Sequence, residues 1–364
     1  MRSQGKQDES RWKKRVSCPK KHLVLFFRQL SIMLNSGVTL VQSMDTLSHQ
    51  PDYPNFGEAI LEVTRMVGSG HTLSNAMKHF PKLFSTVQIA MVATGERTGT
   101  LAPALERLAN WGERDNQLYQ KVKSALTYPV VVLVVAFVLT TVLFLTVLPG
   151  FVTMFEERDM ELPFLTKVVV AATKLASNPG AWVAGVSALA LVYFAAREAW
   201  SNEQGACRLF RALIALPVVG QLLVSATAAR YTTVMSTLLE SGLDLLVSLR
   251  LSAEASGNPL MRADSSRLTR CISEGEGLGS ALESRFEIYP YQVVQMVHVG
   301  EESSDLAGMF GRVSHLLDED VGLKVEALGA ALEPLMLVGV SVLVGTIVLA
   351  IIMPLYGFLN QLGL

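Results

Sequence analysis

Charged side chains are what this sequence most clearly lacks. They make up 17% of its 364 residues, whereas a soluble protein usually carries about 25%. Apolar residues reach 50% and the mean hydropathy is +0.36, so the composition predicts a protein that is partly embedded in a membrane. The net charge of −1 gives no general basic field, and nucleic acid is therefore not an expected partner.

Cysteines and catalytic motifs are also sparse. The three cysteines, Cys18, Cys207 and Cys271, are odd in number and form no C-x-x-C pair, which argues against a disulfide framework or a zinc site. None of the six histidines lies in an H-E-x-x-H motif. The stretch GEGLG at residues 275–279 follows a helical pattern, and no glycine-rich stretch carries a Walker lysine. We therefore expect no metal, no cofactor and no catalytic residue, and we predict that the chain is not an enzyme.

The first 22 residues form a basic tail without the features of a signal peptide. The apolar stretch LVLFF at residues 23–27 is too short for the core of such a peptide, and Arg28 follows it. We therefore expect the N-terminus to be cytoplasmic. The tail is either a solvated basic segment or a segment that binds anionic lipid, at about 1 kcal/mol per basic residue near the surface. The basic residues of its stretch RWKKRVSCPKK, at 11–21, are Arg11, Lys13, Lys14, Arg15, Lys20 and Lys21.

Three uncharged runs are long enough to cross a lipid bilayer as helices. Residues 130–148 and 335–353 each provide 19 residues without a charge, which is about 28 Å of helix against a hydrocarbon core of about 30 Å. Residues 175–196 form a third run, for which a buried helix of a soluble domain is the alternative. The centres of all three runs lack ionisable side chains, which argues against a transporter or an intramembrane enzyme.

The sequence repeats itself at an offset of 205 residues. VATGERTGTL at 92–101 returns as VHVGEESSDL at 297–306, and the register holds without gaps to the end of the last hydrophobic run. The chain is therefore an internal duplication of a soluble segment followed by one span. Equivalent pairs are Gly37 with Gly242, Gly95 with Gly300, Glu96 with Glu301, Thr100 with Asp305, Asp115 with Asp320, Pro129 with Pro334, and Pro149 with Pro354.

The expected fold is all-α, with two tandem helical-bundle domains of about six helices each and three transmembrane helices. The middle span is needed because two copies of one domain should face the same compartment. The predicted domains are a basic tail at 1–22, the first bundle at 23–128, a span at 129–149, a periplasmic loop at 150–174, a span at 175–196, the second bundle at 197–333, a span at 334–354 and a periplasmic tail at 355–364.

Basic residues near the ends of the spans indicate the orientation. The side proposed to be cytoplasmic carries Arg114, Lys121, Lys123, Arg197, Arg208, Arg211 and Lys324, whereas the opposite side carries Arg158, Lys167 and Lys174. Because cytoplasmic loops carry an excess of Lys and Arg, the two bundles are predicted to be cytoplasmic.

Glycines and prolines mark where helices and spans are expected to begin and end. Gly37 and Gly242 follow an apolar helical stripe in their copies, and a left-handed glycine is a common helix stop. Pro129 and Pro334 come directly before the repeated spans, and Pro149 and Pro354 come directly after them. We treat all six as structural candidates.

The duplicated stretch VATGERTGTL is typical of a helix that stops and restarts. Gly95 and Gly300 are predicted to lie in the left-handed position after the fifth helix of each copy. Thr100 and Asp305 are predicted to be N-caps of the sixth helix, where their side chains accept hydrogen bonds from free N–H groups.

Glu96 and Glu301 are the part of this stretch that a turn does not require. Each glutamate has three possible roles. It favours the positive end of the sixth helix, worth about 0.3–1 kcal/mol, it pairs with a basic residue across a bundle or subunit interface, or it helps to hold a divalent cation. The sequence leaves all three open.

Several segments together resemble the inner-membrane platform protein family of type II secretion and type IV pilus assembly. They are FFRQLSIMLNSGVTL, GERTGTL, ALTYP, VLPGFVTMF, LPFLT, LPVVGQL, ARYTTVMSTLLESGLDL and MPLYGFL, which run in the family's order from residue 26 to residue 359. GERTGTL matches the family's Gly-Glu-x-x-Gly-x-Leu signature. The second copy departs from it, because GEESSDL has Ser304 where the first copy has Gly99.

The resemblance implies a structural and mechanical function in the bacterial inner membrane. Such proteins form the platform on which a cytoplasmic hexameric assembly ATPase acts, so that pilins or pseudopilins leave the bilayer and join a fibre. The partners implied are this ATPase, other inner-membrane assembly proteins, the fibre subunits, the lipid bilayer and further copies of the chain in a homo-oligomer. The alternatives are a small-solute transporter or channel subunit, and a membrane-anchored helical adaptor.

Overall fold

The structure is a computed structural model, which describes residues 16–49, 53–146, 179–217 and 219–361. All regular structure in these ranges is helical, which confirms the predicted all-α class. Several sequence predictions lie outside the described residues. They concern the tail up to Arg15, Pro149, the loop at 150–174, the start of the middle span at 175–178 and the last residues, 362–364.

The first copy contains six helices, as the sequence predicts. Short polar side chains set several of their starts. The side chains of Thr39, Thr72 and Ser85 accept hydrogen bonds from backbone N–H groups in the first turns of the second, fourth and fifth helices. The helices are α1 (Lys20–Asn35), α2 (Leu40–Ser48), α3 (Pro54–Gly68), α4 (Leu73–Met77), α5 (Thr86–Thr98) and α6 (Leu101–Thr146).

The second copy repeats this series, and five of its six helices begin 205 residues after their counterparts. These helices are α9 (Val219–Glu240), α10 (Leu245–Ala255), α11 (Pro259–Ser273), α12 (Leu278–Glu283), α13 (Tyr291–Ser303) and α14 (Leu306–Gln361). Two helices precede them, α7 (Pro179–Ser201) and α8 (Glu203–Ile214). The duplication read from the sequence is therefore confirmed at the level of individual helices.

The two copies pack into one compact unit, made of residues up to 120 together with residues 210–323. The core of the first copy is built from aromatic and aliphatic side chains such as Phe27, Phe56 and Leu105, and it also includes Val234 and Leu238 from α9. Because both copies contribute to one core, they are a single packed body. The second unit contains the described residues among 121–209 and 324–361.

Two helices in the described part of the chain, α6 and α14, are long and apolar enough to cross a membrane. Their apolar side chains are open to the surroundings, as Phe137 and Leu337 illustrate with exposures of 62% and 63%. This exposure suits contact with lipid, since a bilayer replaces the missing protein core. The predicted middle span corresponds to α7, a helix of 23 residues, and its passage through a membrane remains a prediction.

Candidate functional site

The repeated signature lies at the junction of the fifth and sixth helices of each copy. In the first copy α5 ends at Thr98, Gly99 takes a left-handed φ of 71°, and α6 begins at Leu101. In the second copy Ser304 takes the equivalent left-handed position with a φ of 59°. Among the described residues, Ser304 is the only one other than glycine with a positive φ.

Gly95 and Gly300 are not at these left-handed positions, so the predicted role of both residues is wrong. They lie buried inside α5 and α13, and their carbonyl oxygens accept hydrogen bonds from the backbone N–H groups of Thr100 and Asp305 at 2.9 Å and 3.0 Å. The helices continue for one further turn because glycine is tolerated inside a helix at a modest cost of about 1 kcal/mol.

A close approach between helices explains why these positions hold glycine. A Cβ atom added to Gly95 would lie 2.9 Å from the Cβ of Ala104 and 3.1 Å from the Cα of Leu101. At Gly300 it would lie 3.1 Å from the Cα of Leu306. The sixth helix of each copy therefore starts directly against the backbone of the fifth, and a side chain would push the two apart.

The predicted N-cap bond is present at Asp305, whose Oδ1 accepts from the backbone N–H of Gly308 at 2.9 Å. In the first copy the position equivalent to Gly308 is Pro103, which has no N–H to donate. The hydroxyl of Thr100 instead lies 2.6 Å from the hydroxyl of Thr98. The prediction of one shared capping bond therefore fails for Thr100 because of a single proline.

Glu96 reaches away from the sixth helix and caps α4. Its carboxylate accepts hydrogen bonds from the backbone N–H of Leu73, from the backbone N–H of Ser74 at 3.2 Å and from the hydroxyl of Ser74 at 2.5 Å. Thr72, the residue before α4, accepts from the N–H of Asn75. Two side chains from separate parts of the chain thus share the free N–H groups at the start of one short helix.

Glu301 makes the same contact in the second copy. Its carboxylate accepts from the backbone N–H of Leu278 and from that of Gly279 at 3.0 Å, at the start of α12. Gly277, which precedes α12, has no side chain to act as a cap, so Glu301 is more important to its helix than Glu96 is. A negative charge is also favourable at the positive end of a helix.

This geometry corrects the sequence interpretation of the two glutamates. The sequence left three roles open, of which one put their charge at the start of the sixth helix, whereas the structure places it at the start of the fourth. Both carboxylates are half-buried and already accept backbone hydrogen bonds. Within the described ranges, no group of three His, Cys, Asp or Glu side chains is arranged to hold a metal ion.

Gly37 and Gly242 lie where the sequence puts them. Both have a left-handed backbone, with φ of 82° and 81°. The N–H groups of Val38 and Leu243 bond back to the carbonyls of Met33 and Leu238, at 3.0 Å and 3.1 Å. This pattern is the Schellman motif, which closes a helix and redirects the chain.

Of the four prolines expected to frame the spans, the three that the structure describes lie inside long helices. Pro129 is inside α6, and Pro334 and Pro354 fall within the bounds of α14. Each helix therefore continues without a break from its bundle into its apolar stretch. A proline in a helix leaves one carbonyl without its usual partner, so these positions are points of local weakness rather than helix ends.

Sequence reasoning missed the role of Asp115, which joins the two copies. Its carboxylate lies 2.7 Å from the Nζ of Lys20 in the first copy and 3.0 Å from the Nε of Arg230 in the second. The equivalent Asp320 accepts a hydrogen bond from Ser225 at 2.8 Å. Both aspartates contact equivalent positions in the first helix of their own copy, since Lys20 and Ser225 also differ by 205. The shared offset of 205 was the one signal in the sequence that could have indicated this role of the aspartates.

A buried polar cluster distinguishes the second copy from the first. Asp264 is paired with Arg267, with Nε to Oδ1 at 2.7 Å, and Arg285 lies 3.8 Å away. Burial, together with the charge of Asp264, raises the pKa of Tyr231. Burial, together with the negative charge on Tyr231 when it is ionised, raises the pKa of Tyr289. In the first copy, the positions equivalent to Asp264, Arg267, Arg285, Tyr231 and Tyr289 hold, in that order, Ala59, Glu62, Phe80, Phe26 and Phe84. The two cores have therefore diverged, although their backbones have not.

Comparison with known proteins gives the duplication a family. The sequence profile described as Type II secretion system (T2SS), protein F, matches this chain twice, at residues 26–149 and 231–354. The two matches begin 205 residues apart and also end 205 residues apart, which is the offset of the repeat. The match covers both bundles and the two long apolar stretches, including the signature with Glu96 and Glu301.

Individual relatives carry names from two assembly systems. The type IV pilus assembly protein PilC of Myxococcus xanthus is 32% identical over 338 residues, which is 92% of this chain and 80% of the relative. PilC of Thermus thermophilus is also 32% identical, over 94% of this chain and 84% of its own. The type II secretion system protein F of Pseudomonas aeruginosa is 30% identical over 93% and 83%. The chain belongs to the type II secretion system protein F family.

Proposed function

We propose that this protein is an inner-membrane platform of a type IV pilus or type II secretion assembly machine. It couples a cytoplasmic hexameric ATPase to the extraction of pilins or pseudopilins from the bilayer and to their addition to a fibre. The observation that carries this proposal is the match of both copies, each with its apolar stretch, to proteins named for pilus assembly and for type II secretion.

The form of the molecule supports a mechanical role. Each copy joins its part of the packed helical unit to an apolar stretch through one uninterrupted helix, α6 or α14. A continuous helix links the helical unit to its apolar stretch along the chain, and Pro129 and Pro334 are the points at which such a helix bends most easily.

The proposed topology has three spans, with α7 as the second. Two copies of one domain belong on the same side of a membrane, and α6 and α14 alone would leave the second copy on the opposite side from the first. The N-terminus and both bundles are cytoplasmic in this proposal. The partners are the ATPase, other inner-membrane assembly proteins, the fibre subunits, the bilayer and further copies of the chain.

A transporter or a simple adaptor is less well supported. The uncharged residues 130–146 in α6 and 335–353 in α14 offer no ionisable side chain for a solute or proton path. An adaptor would need only one span, whereas the apolar stretch is duplicated with its bundle. Neither alternative explains why relatives from both assembly systems cover more than nine-tenths of the chain, 92% and 93% in the two cases.

Deletion and affinity isolation in the native host test the proposal together. Loss of the chain is expected to abolish surface fibres or secretion, and a tagged chain should restore them and co-isolate an ATPase and prepilins. An unrelated inner-membrane protein with the same tag is the control for detergent artefacts. Normal fibres and normal secretion in the deletion strain would refute the proposal.

A further inference from the structure

The contact between the two copies uses two different surfaces. Face A is the outer surface of the first two helices of a copy, which are α1 and α2 in the first copy and α9 and α10 in the second. Face B is the outer surface of the fifth helix and the first turns of the sixth, on α5 and α6 or on α13 and α14. Face A of the second copy packs on face B of the first. Arg230 pairs with Asp115 at 3.0 Å and Glu240 with Arg107 at 3.8 Å, and α10 lies against α5.

This contact is head-to-tail rather than two-fold symmetric. A two-fold contact would also bring α2 against α13, yet no comparable packing joins them among the described residues. It would also pair Leu25 with Asp320, the counterparts of Arg230 and Asp115. Asp320 instead accepts a hydrogen bond from Ser225 of its own copy. A head-to-tail contact necessarily leaves one face A and one face B of the chain unused.

Burial shows which faces are unused. Trp111 on face B of the first copy is half-buried, whereas its counterpart Leu316 is 48% exposed. Thr237 on face A of the second copy is half-buried, whereas its counterpart Ile32 is 57% exposed. Ile32 on face A of the first copy and Leu316 on face B of the second are therefore exposed where their counterparts are covered. On α14 the neighbouring His315 contacts Arg114 of the first copy at 3.1 Å, so the open part of face B is the side of the helix that carries Leu316.

Further exposed apolar residues extend both open faces. Face A of the first copy also carries Leu25 and Val41, at 44% and 41% exposure, and face B of the second carries Tyr291 and Val299, at 64% and 48%. Apolar side chains grouped on the surface of a helical body are typical of an interaction site. A surface complementary to each open face already exists in this chain, on the other copy.

We propose that a second copy of this protein docks here, with face A of its first copy on face B of the second copy of its neighbour. This inference specifies how the copies in the proposed homo-oligomer contact each other. It rests on the proposed function only for the statement that the protein forms a homo-oligomer. The partner is argued from the internal contact, because the same pair of surfaces already binds once within each chain. Repeated from chain to chain, the contact forms a ring where the rotation closes.

The internal contact also gives the register of the proposed one. Thr237 and Trp111 line one cavity between the copies, so their counterparts Ile32 and Leu316 lie opposite each other in the second contact. Thr233 and Arg114 line the same cavity, and their counterparts are Arg28 and Glu319. The side chains brought together are therefore an apolar pair, with Glu319 beside an arginine that also pairs with Glu113 of its own copy at 2.8 Å. The pair is compatible in size, and the added glutamate is compatible in charge.

Crosslinking of full-length protein in native membranes tests this register. Two differently tagged chains are produced together in a cysteine-free background, one with Ile32→Cys and one with Leu316→Cys, and treated with a short bis-maleimide. The expected product is a dimer that carries both tags. Arg107→Cys with Glu240→Cys in one chain is the positive control, because their side chains meet in the internal contact.

Two further combinations separate a specific contact from collision. Ser69→Cys, at an exposed site off both faces, paired with Leu316→Cys gives the background, and the Ile32 pair is expected to exceed it several-fold. Chains that carry only Ile32→Cys should not crosslink to each other. Dimers of Ile32→Cys alone, or background yield from the mixed pair while the internal control crosslinks, would overturn the head-to-tail contact.

A charge variant tests the contact without added cysteines. Ile32→Arg places a charge on an exposed position, so the chain should fold normally, and the oligomer extracted in mild detergent should fall to monomer mass. Ser69→Arg is the matched control and should leave the oligomer intact. An oligomer unchanged by Ile32→Arg would refute the interface. Because neither readout uses fibres or secretion, the interface can fail while the platform role stands.

Discussion

Glu96 and Glu301 act at the scale of single residues, by capping helices that begin 23 residues earlier in the chain. A carboxylate that accepts two backbone N–H groups compensates for bonds that the first turn of a helix cannot make internally. Hydrogen bonds to a charged group contribute about 1.5–3 kcal/mol when they are buried, and less here because both groups are half-buried. The duplication keeps this contact in both copies.

The first prediction is that Glu96→Ala and Glu301→Ala destabilise their copies by about 1–3 kcal/mol, because buried N–H groups lose their acceptor. Glu301→Ala should cost more, since Gly277 provides no second cap. Hydrogen exchange of full-length protein should show faster exchange at Leu73 and Ser74 in the first variant, and at Leu278 and Gly279 in the second.

Glu106→Ala, a change at an exposed glutamate on α6, is the control for that experiment and should stay within about 0.5 kcal/mol. Unchanged exchange at the start of α4 and α12 would contradict the capping role. The sequence around Glu96 does not indicate this role, because the capped helix begins 23 residues earlier in the chain.

The second prediction concerns the left-handed residues Gly99 and Ser304, which are equivalent but chemically different. A left-handed conformation costs a residue other than glycine about 1–2 kcal/mol. Glycine avoids this cost, but it loses more conformational entropy on folding, which offsets about half of the advantage. Ser304→Gly should therefore be neutral or stabilise by up to about 1 kcal/mol. Gly99→Ser should destabilise by a similar amount, and thermal melts of both variants measure the difference. Opposite signs would contradict the assigned backbone.

At the scale of helices, the sequence predicted much of the fold from its own repetition. The offset of 205 aligned helix starts at Leu40 and Leu245 and at Leu101 and Leu306, and it located both Schellman turns. It failed at Gly95, because a glycine inside a helix and a glycine after a helix look alike in one dimension. What separates them is the proximity of α6, a tertiary contact that no local pattern contains.

The third prediction follows from this close approach of α5 and α6. Gly95→Ala should destabilise by about 1–3 kcal/mol, because the new methyl group overlaps Ala104 and Leu101. Gly68→Ala is the matched control, since nothing lies within 4 Å of a Cβ at that position at the end of α3. Chemical unfolding of both variants, followed by tryptophan fluorescence, should separate them. Equal stability would remove steric contact as the reason for Gly95.

At the scale of the whole molecule, the two copies share a backbone and differ in what they present. The first copy has an aromatic core around Phe26, whereas the second has Tyr231 beside a buried Asp264. The sequence alone could show these substitutions but not that the copies pack head-to-tail, since that contact joins residues more than 100 positions apart, such as Asp115 and Arg230. Duplication followed by divergence therefore gives one chain two related copies with different surfaces.

The last prediction concerns topology, since α6 and α14 alone would leave the two copies on opposite sides of a membrane. With α7 as a third span, reporter fusions after Asn116 and after Asp320 should both show cytoplasmic activity, and a fusion after Asp159 should show periplasmic activity. The two fusion positions act as mutual controls, because each lies in the sixth helix of its copy. A packed unit that contains residues from both copies requires them to share a compartment. Opposite activities at Asn116 and Asp320 would therefore contradict both the third span and the packing of the two copies together.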